Sequence, residues 1–351
     1  MAATYDALAP LALEIDGYAL ERRESASSSG FVRVSTEIVL GGGGHEGRGE
    51  DVTYAAEDHD ALLGAGSILP LAGSRTLDGF SELVDSLDLF PAPAQAEIYR
   101  KYRRWAFESA ALDLALRQAG LSLHEALRRA PAAVTFVASV RLPEPPTLEP
   151  VDARLAHHPG LRFKLDPTPS WDEQLIAELA ARDLVATADL KGFYSGTAVD
   201  NAADPELYRR IADGLPDAWI EDPLLDERTT PVLEPHRARI TWDAPIHSVA
   251  DVLSLPFPPR TLNSKPSRFG SLRALLDFYD HCAREGIALY GGGQTELGVG
   301  RGQIQYLASL FHPDTPNDVA PSAYNLEPLP PELPGSPLEP APSATGFRWA
   351  S

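Results

Sequence analysis

The stretch LRFKLDPTPSWDEQLIAELAARDLVATADLK, residues 161–191, decides the fold. Strand-like apolar runs end near Lys164 and Asp189, and a helical pattern lies between them from Trp171 to Arg182. The two strand ends are 25 residues apart, which is the length of one strand plus a returning helix. The stretch therefore predicts a parallel βαβ unit.

The same unit repeats along the second half of the chain. Strand-like runs end near Val140, Lys164, Asp189, Glu221, Asp243, Lys265, Gly291 and Asp318. From Lys164 onward the steps between these ends are 25, 32, 22, 22, 26 and 27 residues. Eight such units favour a closed parallel barrel over an open sheet, so we predict an α/β fold with a modified (β/α)8-type TIM barrel over residues 131–325.

The first 130 residues follow a different pattern. Residues 14–55 predict an antiparallel sheet, and Gly41 to Gly44 predict a hairpin turn because no Gly-Lys-Ser/Thr follows them. Residues 94–129 are helical, with Trp105, Leu112 and Leu116 on one face. We predict an α+β domain over residues 1–130, joined by the proline-rich C-terminal segment 326–351 as an extended strap.

Charge and composition exclude several function classes. The net charge of −20 repels both phosphate backbones and anionic lipid, so we expect no nucleic-acid partner and no membrane partner. The single cysteine, Cys282, cannot form an intrachain disulfide, and no apolar run reaches the roughly 18 residues of a membrane span. We expect a cytoplasmic protein that forms a homo-oligomer.

Lysine is rare in this chain. Only four of the 30 basic residues are lysines, and three of them, Lys164, Lys191 and Lys265, follow strand-like runs. Arginine stays charged in proteins, whereas the pKa of a lysine can be moved toward neutrality by burial or by a neighbouring cation. The pattern indicates lysine acid/base chemistry.

Three carboxylates share the predicted strand ends with these lysines. Asp189, Glu221 and Asp243 would converge at one face of the barrel, where a hard divalent cation, Mg²⁺, would relieve their repulsion. A lone acid at a strand end could instead cap the next helix, but three in register favour a metal site. A carboxylate substrate bound there would lose its α-proton to form a metal-stabilised enediolate. Lys164 and Lys265, four strands apart, would approach the α-carbon from opposite sides, with pKa values lowered by the metal.

These residues resemble the enolase superfamily, whose lysine or histidine base with Mg²⁺ is a known pattern. Four segments carry the resemblance along nearly the whole chain: Gly47-Arg48-Gly49-Glu50, Ala110 to Ala115, Glu221-Asp222-Pro223 and Lys265 to Gly270. The most specific pair is Gly291 to Arg301 with Pro316 to Ser322. This pair is similar to the muconate-lactonizing-enzyme subgroup, and most of all to o-succinylbenzoate synthases and N-succinylamino acid racemases.

The resemblance implies a role for each matched residue. It makes the first domain a cap over the barrel. Residues 24–30 fall where the family has a mobile loop that closes over the substrate, although a Ser-rich run could equally be a flexible segment with no such role. Lys164 and Lys265 become the catalytic pair, and Asp189, Glu221 and Asp243 become the Mg²⁺ ligands. Within the matched segments, the expected substrate-binding residues are Arg268, Gly292, Gly293, Glu296 and Ser322. Lys191 and Arg162, where the chain departs from the family pattern, are expected to bind substrate as well.

Three positions depart from the family pattern. Arg162-x-Lys164 replaces Lys-x-Lys, Asp243-Ala-Pro replaces Asp-Glu-Ser, and Asp189-Leu-Lys191 replaces Asp-x-Asn. If the strand continues past Asp189, its alternation turns Lys191 into the pocket, where it would bind a second acidic or polar group of the substrate. If the strand ends at Asp189, Lys191 would lie on a solvated loop.

The sequence thus predicts an enzyme, a lyase or isomerase that abstracts the α-proton of a small-molecule carboxylate and leads to dehydration or racemisation. A cycloisomerase or a sugar-acid dehydratase could use the same scaffold. Two alternatives come from other classes. A Schiff-base aldolase would use a lysine but would not need three carboxylates, and a non-catalytic metal-binding barrel would need no lysine pair.

Overall fold

The computed structural model of the protein describes residues 3–26, 32–194, 196 and 201–349. In these residues the strands are β1 Ala12–Ile15, β2 Gly17–Ala26, β3 Val32–Gly42, β4 His45–Asp51, β5 Gly73–Thr76, β6 Ala138–Val140, β7 Phe163–Leu165, β8 Val185–Asp189, β9 Trp219–Glu221, β10 Ile240–Thr241, β11 Thr261–Ser264 and β12 Ala288–Gly291. The α-helices are α1 Ala56–Ala65, α2 Leu77–Ser86, α3 Ile98–Ala119, α4 Leu123–Leu127, α5 Glu149–Leu155, α6 Glu173–Ala181, α7 Pro205–Gly214, α8 Thr230–Leu233, α9 Val249–Leu253, α10 Pro266–Phe269, α11 Leu272–Glu285 and α12 Val299–Phe311.

The N-terminal part is an antiparallel sheet packed on helices. Strands β2, β3 and β4 form a three-stranded meander, and β1 pairs with β5. Strand β4 lies directly on α3, and this contact explains the two glycines before Glu50. A Cβ at Gly47 would lie 2.2 Å from the carbonyl oxygen of Ala110, and one at Gly49 would lie 2.1 Å from that of Ala106. Only glycine permits this close approach of strand and helix.

The strands of the second half are parallel and alternate with helices, as predicted. Strands β6 to β10 form one sheet in sequence order, and β11 pairs with β12 in a second. The two sheets are joined by a hydrogen bond from Asn263 N to Trp242 O, 3.1 Å. Isolated parallel bridges then connect Gly292 to Asp318 and Asn317 to Phe136. These single links are not continuous ladders, so full closure of an eight-stranded barrel stays a prediction.

The chain end contacts the first domain. The guanidinium of Arg348 donates to the carboxylate of Asp113 on α3 at 2.7 Å, and the backbone N–H of Phe347 donates to the same carboxylate at 2.8 Å. Gly346 N donates to Leu121 O at 2.8 Å. The end of the predicted strap therefore lies against the N-terminal domain.

A buried carboxylate connects the two domains. Glu50, at the end of β4, accepts hydrogen bonds from the backbone N–H groups of Leu297, Gly298 and Gly300, at 2.6, 3.0 and 2.9 Å. These donors lie at the start of α12, where helix N–H groups lack partners within the helix. The Glu50 side chain therefore holds the loop that leads from β12 into α12.

Two further expectations from the sequence concern the loop at residues 24–30 and the absence of a membrane-spanning segment. Of the predicted loop 24–30, residues 24–26 complete β2, and residues 27–30 lie outside the described residues. Within the described part of the chain, no helix has both the length and the apolar character needed to span a bilayer.

Candidate active site

A cavity of about 550 Å³ lies at the carboxyl ends of the parallel strands. It is lined from the barrel side by Lys164, Lys265 and Gly293, and from the N-terminal domain by Tyr54. The Tyr54 hydroxyl donates to Gln294 Oε1 at 3.0 Å, which ties this domain to the loop beyond β12. Lys164 and Lys265, the strand-end positions that the sequence predicted to be catalytic, therefore face one cavity.

Lys164 lies in β7 and is almost completely buried, with 2% of its surface exposed. Its ammonium donates a hydrogen bond to Glu221 and lies 3.1 Å from Asp189 and 3.7 Å from Asp318. Burial alone would lower the pKa of this lysine, but the carboxylates of Asp189, Glu221 and Asp318 raise it well above its usual value. Lys164 is therefore a charged group held by acids in this arrangement of side chains.

Lys265 follows β11 and is also buried, with 8% of its surface exposed. Its ammonium lies 2.7 Å from Asp243 Oδ2. Burial lowers the pKa of Lys265, but Asp243 outweighs this effect and the net pKa is raised. The lowered lysine pKa values expected from the sequence assumed a bound metal cation, whereas the side chains alone shift both pKa values upward.

The carboxylates beneath the lysines form a buried cluster. Oxygen atoms of Asp189, Glu221 and Asp222 lie within 4.8 Å of one another. Burial and the neighbouring acids raise the pKa of Glu221 to about 8 and that of Asp222 to about 7. Burial also raises the pKa of Asp189, but the positive charges of Lys164 and Lys191 outweigh this effect and lower the pKa to about 2. An oxygen-only, mutually repelling donor set of this kind fits a hard divalent cation such as Mg²⁺.

Asp222 and Asp243 are the two candidates for the third metal ligand beside Asp189 and Glu221. Asp222 accepts backbone hydrogen bonds on both oxygens, from Asp243 N at 2.8 Å and from Ala244 N at 2.9 Å. Asp243 has one buried oxygen, Oδ1, that accepts no hydrogen bond from the described residues and approaches Arg268 Nη1 at 3.3 Å. The oxygen without a hydrogen bond favours Asp243 as a ligand, with Asp222 holding the backbone of that ligand in place.

Lys191 lines the cavity, but the alternation of side chains along a strand does not account for its position. Strand β8 ends at Asp189, yet Lys191 adopts a left-handed backbone conformation with φ of 55°. This turn brings its ammonium back onto the Asp189 carboxylate and to 3.5 Å from Asp166. Its side chain is only 14% exposed, so neither a continuing strand nor a solvated loop describes the position.

The other predicted binding residues occupy four different environments. Gly293 lines the cavity, and Gly292 lies against Lys265, whose Cε would be 2.8 Å from a Cβ at that position. The Arg268 guanidinium is buried beside Asp243 and donates to the Tyr194 hydroxyl at 3.1 Å. Glu296 and Ser322 line a smaller neighbouring cavity of about 280 Å³, where Glu296 pairs with Arg301 at 3.0 Å.

Arg162 is the predicted residue that lies apart from this group. It precedes β7, and its guanidinium donates to the Asp183 carboxylate at 3.0 Å and to the Val185 carbonyl at 2.9 Å. Both acceptors lie at the start of β8, the end opposite to the cavity. Arg162 does not line the cavity, so the prediction that it binds substrate has no support from this position.

Several residues of the cavity and of the buried carboxylate cluster were not predicted from the sequence. Arg141 and Asp166 each lie just beyond a predicted strand end, so the rule that identified Lys164 could have identified them. Tyr290 donates to Glu221 Oε2 at 2.6 Å from within β12. Tyr54 reaches the cavity from the other domain, and no local sequence signal indicates this.

The parallel β/α architecture, with an α+β domain over its carboxyl-end face, is the fold of the enolase superfamily. The structure superimposes on a dipeptide epimerase from Enterococcus faecalis with a TM-score of 0.68 and 17% identity, over 97% of this chain and all of that one. A muconate lactonizing enzyme from Pseudomonas putida gives a TM-score of 0.68 and 18% identity, over 95% and 96% of the two chains.

Sequence comparison gives the particular family. The chain belongs to the family described as "Domain of unknown function (DUF8230)", whose N-terminal domain matches residues 6–126 and whose C-terminal domain matches residues 130–326.

Curated relatives agree with the superfamily resemblance inferred from the sequence, which is confirmed. An o-succinylbenzoate synthase from Geobacillus stearothermophilus is 29% identical over 232 residues, 63% of this chain and 60% of that enzyme. An N-succinylamino acid racemase from Amycolatopsis sp. is 28% identical over 301 residues, 79% of this chain and 76% of that enzyme.

Proposed function

We propose that this protein is a Mg²⁺-dependent lyase or isomerase that moves the α-proton of a carboxylate substrate with Lys164 and Lys265. One observation carries the proposal: two buried lysines face the same cavity above a cluster of buried carboxylates. The names of the curated relatives favour dehydration, as in o-succinylbenzoate synthase, or racemisation, as in N-succinylamino acid racemase.

In this proposal Asp189, Glu221 and Asp243 hold the metal. The chemistry that Mg²⁺ supplies when bound is stabilisation of the negative charge that develops on the substrate carboxylate. Asp222 keeps Asp243 in place through its two backbone hydrogen bonds, and Tyr290 orients Glu221. The predicted binding residues Lys191, Gly292 and Gly293 would contact the substrate from the strand ends.

The proton path uses the two lysines. An unprotonated Nζ of one lysine takes the proton from the α-carbon, and the bonding electron pair moves toward the substrate carboxylate. In racemisation the ammonium of the other lysine returns a proton to the opposite face. In dehydration Lys164 would act first as base and then as acid toward the leaving hydroxyl, with the Lys265 ammonium stabilising the developing charge.

A deuterium-exchange screen tests the proposal. The protein is incubated in D₂O with Mg²⁺ and N-acyl amino acids, dipeptides or sugar acids, and α-deuterium incorporation is followed by NMR. We expect exchange in at least one class, and loss of exchange when the metal is chelated. Absence of exchange in all three classes, or exchange unaffected by chelation, would contradict the proposal.

A Schiff-base aldolase predicts a different result in a simple assay. Borohydride would trap an imine between a cavity lysine and a carbonyl substrate, and mass spectrometry would detect the added mass. We expect no trapping, because each cavity lysine is held by carboxylates that a metal site explains and an imine mechanism does not require.

A further inference from the structure

The cavity is unusually rich in positive charge for a protein with a net charge of −20. Six basic side chains line it: Arg141, Arg154, Lys164, Lys191, Lys265 and Arg301. Three acidic side chains line it as well: Asp166, Asp318 and Glu327. An excess of cations around a cavity attracts anionic ligands.

Most of these cations already have partners. The three lysines each contact carboxylates, as described above, and Arg301 lies 3.0 Å from Glu296. Arg154 donates to two backbone carbonyls, Pro150 O at 2.8 Å and Tyr324 O at 2.7 Å. Their charge or their hydrogen-bonding capacity is therefore largely used within the protein.

Arg141 differs from the other five. It is exposed, and its guanidinium has no hydrogen bond and no ion pair with any residue in the described ranges. All five of its N–H donors are therefore available to a ligand in the cavity.

Strand register places Arg141 relative to the catalytic lysine. In the parallel pair β6 and β7, Ser139 lies opposite Lys164, and Val140 lies opposite Leu165. Arg141 therefore lies one step beyond β6, level with Asp166 and two residues closer to the cavity mouth than Lys164. Two residues correspond to roughly 7 Å along a strand. Ser139 and Arg141 both line the cavity, as the alternation of side chains along a strand predicts.

We propose that Arg141 binds a second carboxylate of the substrate and so determines which α-carboxylate compounds are accepted. A guanidinium presents a planar pair of donors that matches a carboxylate. A doubly charged phosphate fits less well, because Asp166 and Glu327 also line the cavity and would repel it. The offset of roughly 7 Å between the backbone positions of Lys164 and Arg141 is the length of about six covalent bonds in an extended chain, which sets the approximate distance from the reacting carbon to the second carboxylate.

This inference rests on the proposed function for the position of the α-carbon, and its test uses both binding and turnover. The probes are the N-succinyl derivative of one amino acid, which ends in a carboxylate, and the N-succinamoyl derivative, which ends in an amide of the same size. Calorimetry measures binding of each probe in the presence of Mg²⁺, and NMR measures α-proton exchange in D₂O.

The variant is Arg141→Gln, and the matched control is Arg260→Gln. Arg260 is also exposed, and it directly precedes β11 at the opposite end of the barrel strands. We expect Arg141→Gln to weaken binding of the N-succinyl probe about 10-fold to 100-fold, the range for a charge-assisted pair, and to leave the amide probe unchanged. Arg141→Lys should recover part of the preference, and Arg260→Gln should change neither probe.

The outcomes separate this inference from the proposed function. If Arg141→Gln loses the preference for the carboxylate probe but the wild type exchanges no α-proton, the Arg141 site stands and the proposed function fails. If the wild type exchanges the α-proton but binds both probes equally, or Arg141→Gln weakens both probes equally, the inference about Arg141 is wrong.

Discussion

The charged side chains at the floor of the cavity differ from those at its mouth in burial and in pairing. At the floor, formed by Lys164, Lys265 and the carboxylates of Asp189, Glu221, Asp222 and Asp243, every charged side chain is buried and has a partner. At the mouth, Lys191 is partly exposed between two carboxylates, and Arg141 is exposed and makes no hydrogen bond or ion pair with the residues that the structure describes. Paired buried charges are costly to rearrange, whereas an unpaired charge at an opening is available to a ligand. The difference suggests that the floor performs the reaction and the mouth selects the substrate.

The largest expected effect comes from the floor lysines. Lys164→Ala and Lys265→Ala should each lower the rate on the order of 100-fold or more, because each removes a group that transfers or stabilises a proton. If the reaction is racemisation, each variant should lose α-proton exchange of only one enantiomer, measured by NMR in D₂O. Lys101 is the one lysine of the sequence that does not line the cavity. Lys101→Ala is therefore the control and should retain activity. Full activity in both floor variants would remove the lysines from the mechanism.

The next effect concerns the floor carboxylates and distinguishes Asp243 from Asp222. Glu221→Gln and Asp243→Asn should each weaken Mg²⁺ binding on the order of 100-fold, whereas Asp222→Asn, which removes only a supporting contact, should weaken it about 10-fold. Calorimetry with Mg²⁺ measures the affinity, and circular dichroism confirms folding. Chelation should also lower the melting temperature of the wild type, because a bound ion favours the folded state. A greater loss in Asp222→Asn than in Asp243→Asn would make Asp222 the ligand.

The smallest expected effect comes from Lys191 at the mouth. Its ammonium already contacts Asp189 and Asp166, so it has less capacity than Arg141 to bind a substrate anion. Lys191→Met should raise KM about 3-fold to 10-fold and change kcat by less than about 2-fold, the pattern of lost uniform binding. Steady-state kinetics of α-proton exchange measures both constants. A variant with unchanged KM and no turnover would instead place Lys191 in the catalytic machinery of the floor.

The strand ends at the floor were predictable because their signal is periodic. Apolar runs at a spacing of one βα unit locate Lys164, Asp189, Glu221, Asp243 and Lys265 without any knowledge of distant contacts. The parallel order of β6 to β10 follows from the same spacing. Whether the eight units close into a barrel depends on contacts between distant segments, which no local pattern specifies.

The residues at the cavity mouth were less predictable, because single backbone angles and contacts between distant segments determine where their side chains lie. Lys191 returns to Asp189 through a positive φ after the strand has ended, and strand alternation cannot describe this turn. Arg162 shares the alternation of Lys164 but precedes the strand, and its guanidinium bonds to neighbouring residues instead. The involvement of Tyr54 depends on how the two domains pack.

The Glu50 contact has a consequence for recombining this protein with its relatives. Three backbone donors at the start of α12 depend on a side chain that the other domain supplies more than 240 positions earlier in the chain. A chimaera that joins a foreign N-terminal domain to this barrel therefore needs a carboxylate at the end of its own hairpin strand. Without one, those donors would be buried without an acceptor next to the loop that carries Gly293. The two domains match separate family models, but the Glu50 contact means that one of them can be exchanged only for a domain that supplies the same carboxylate.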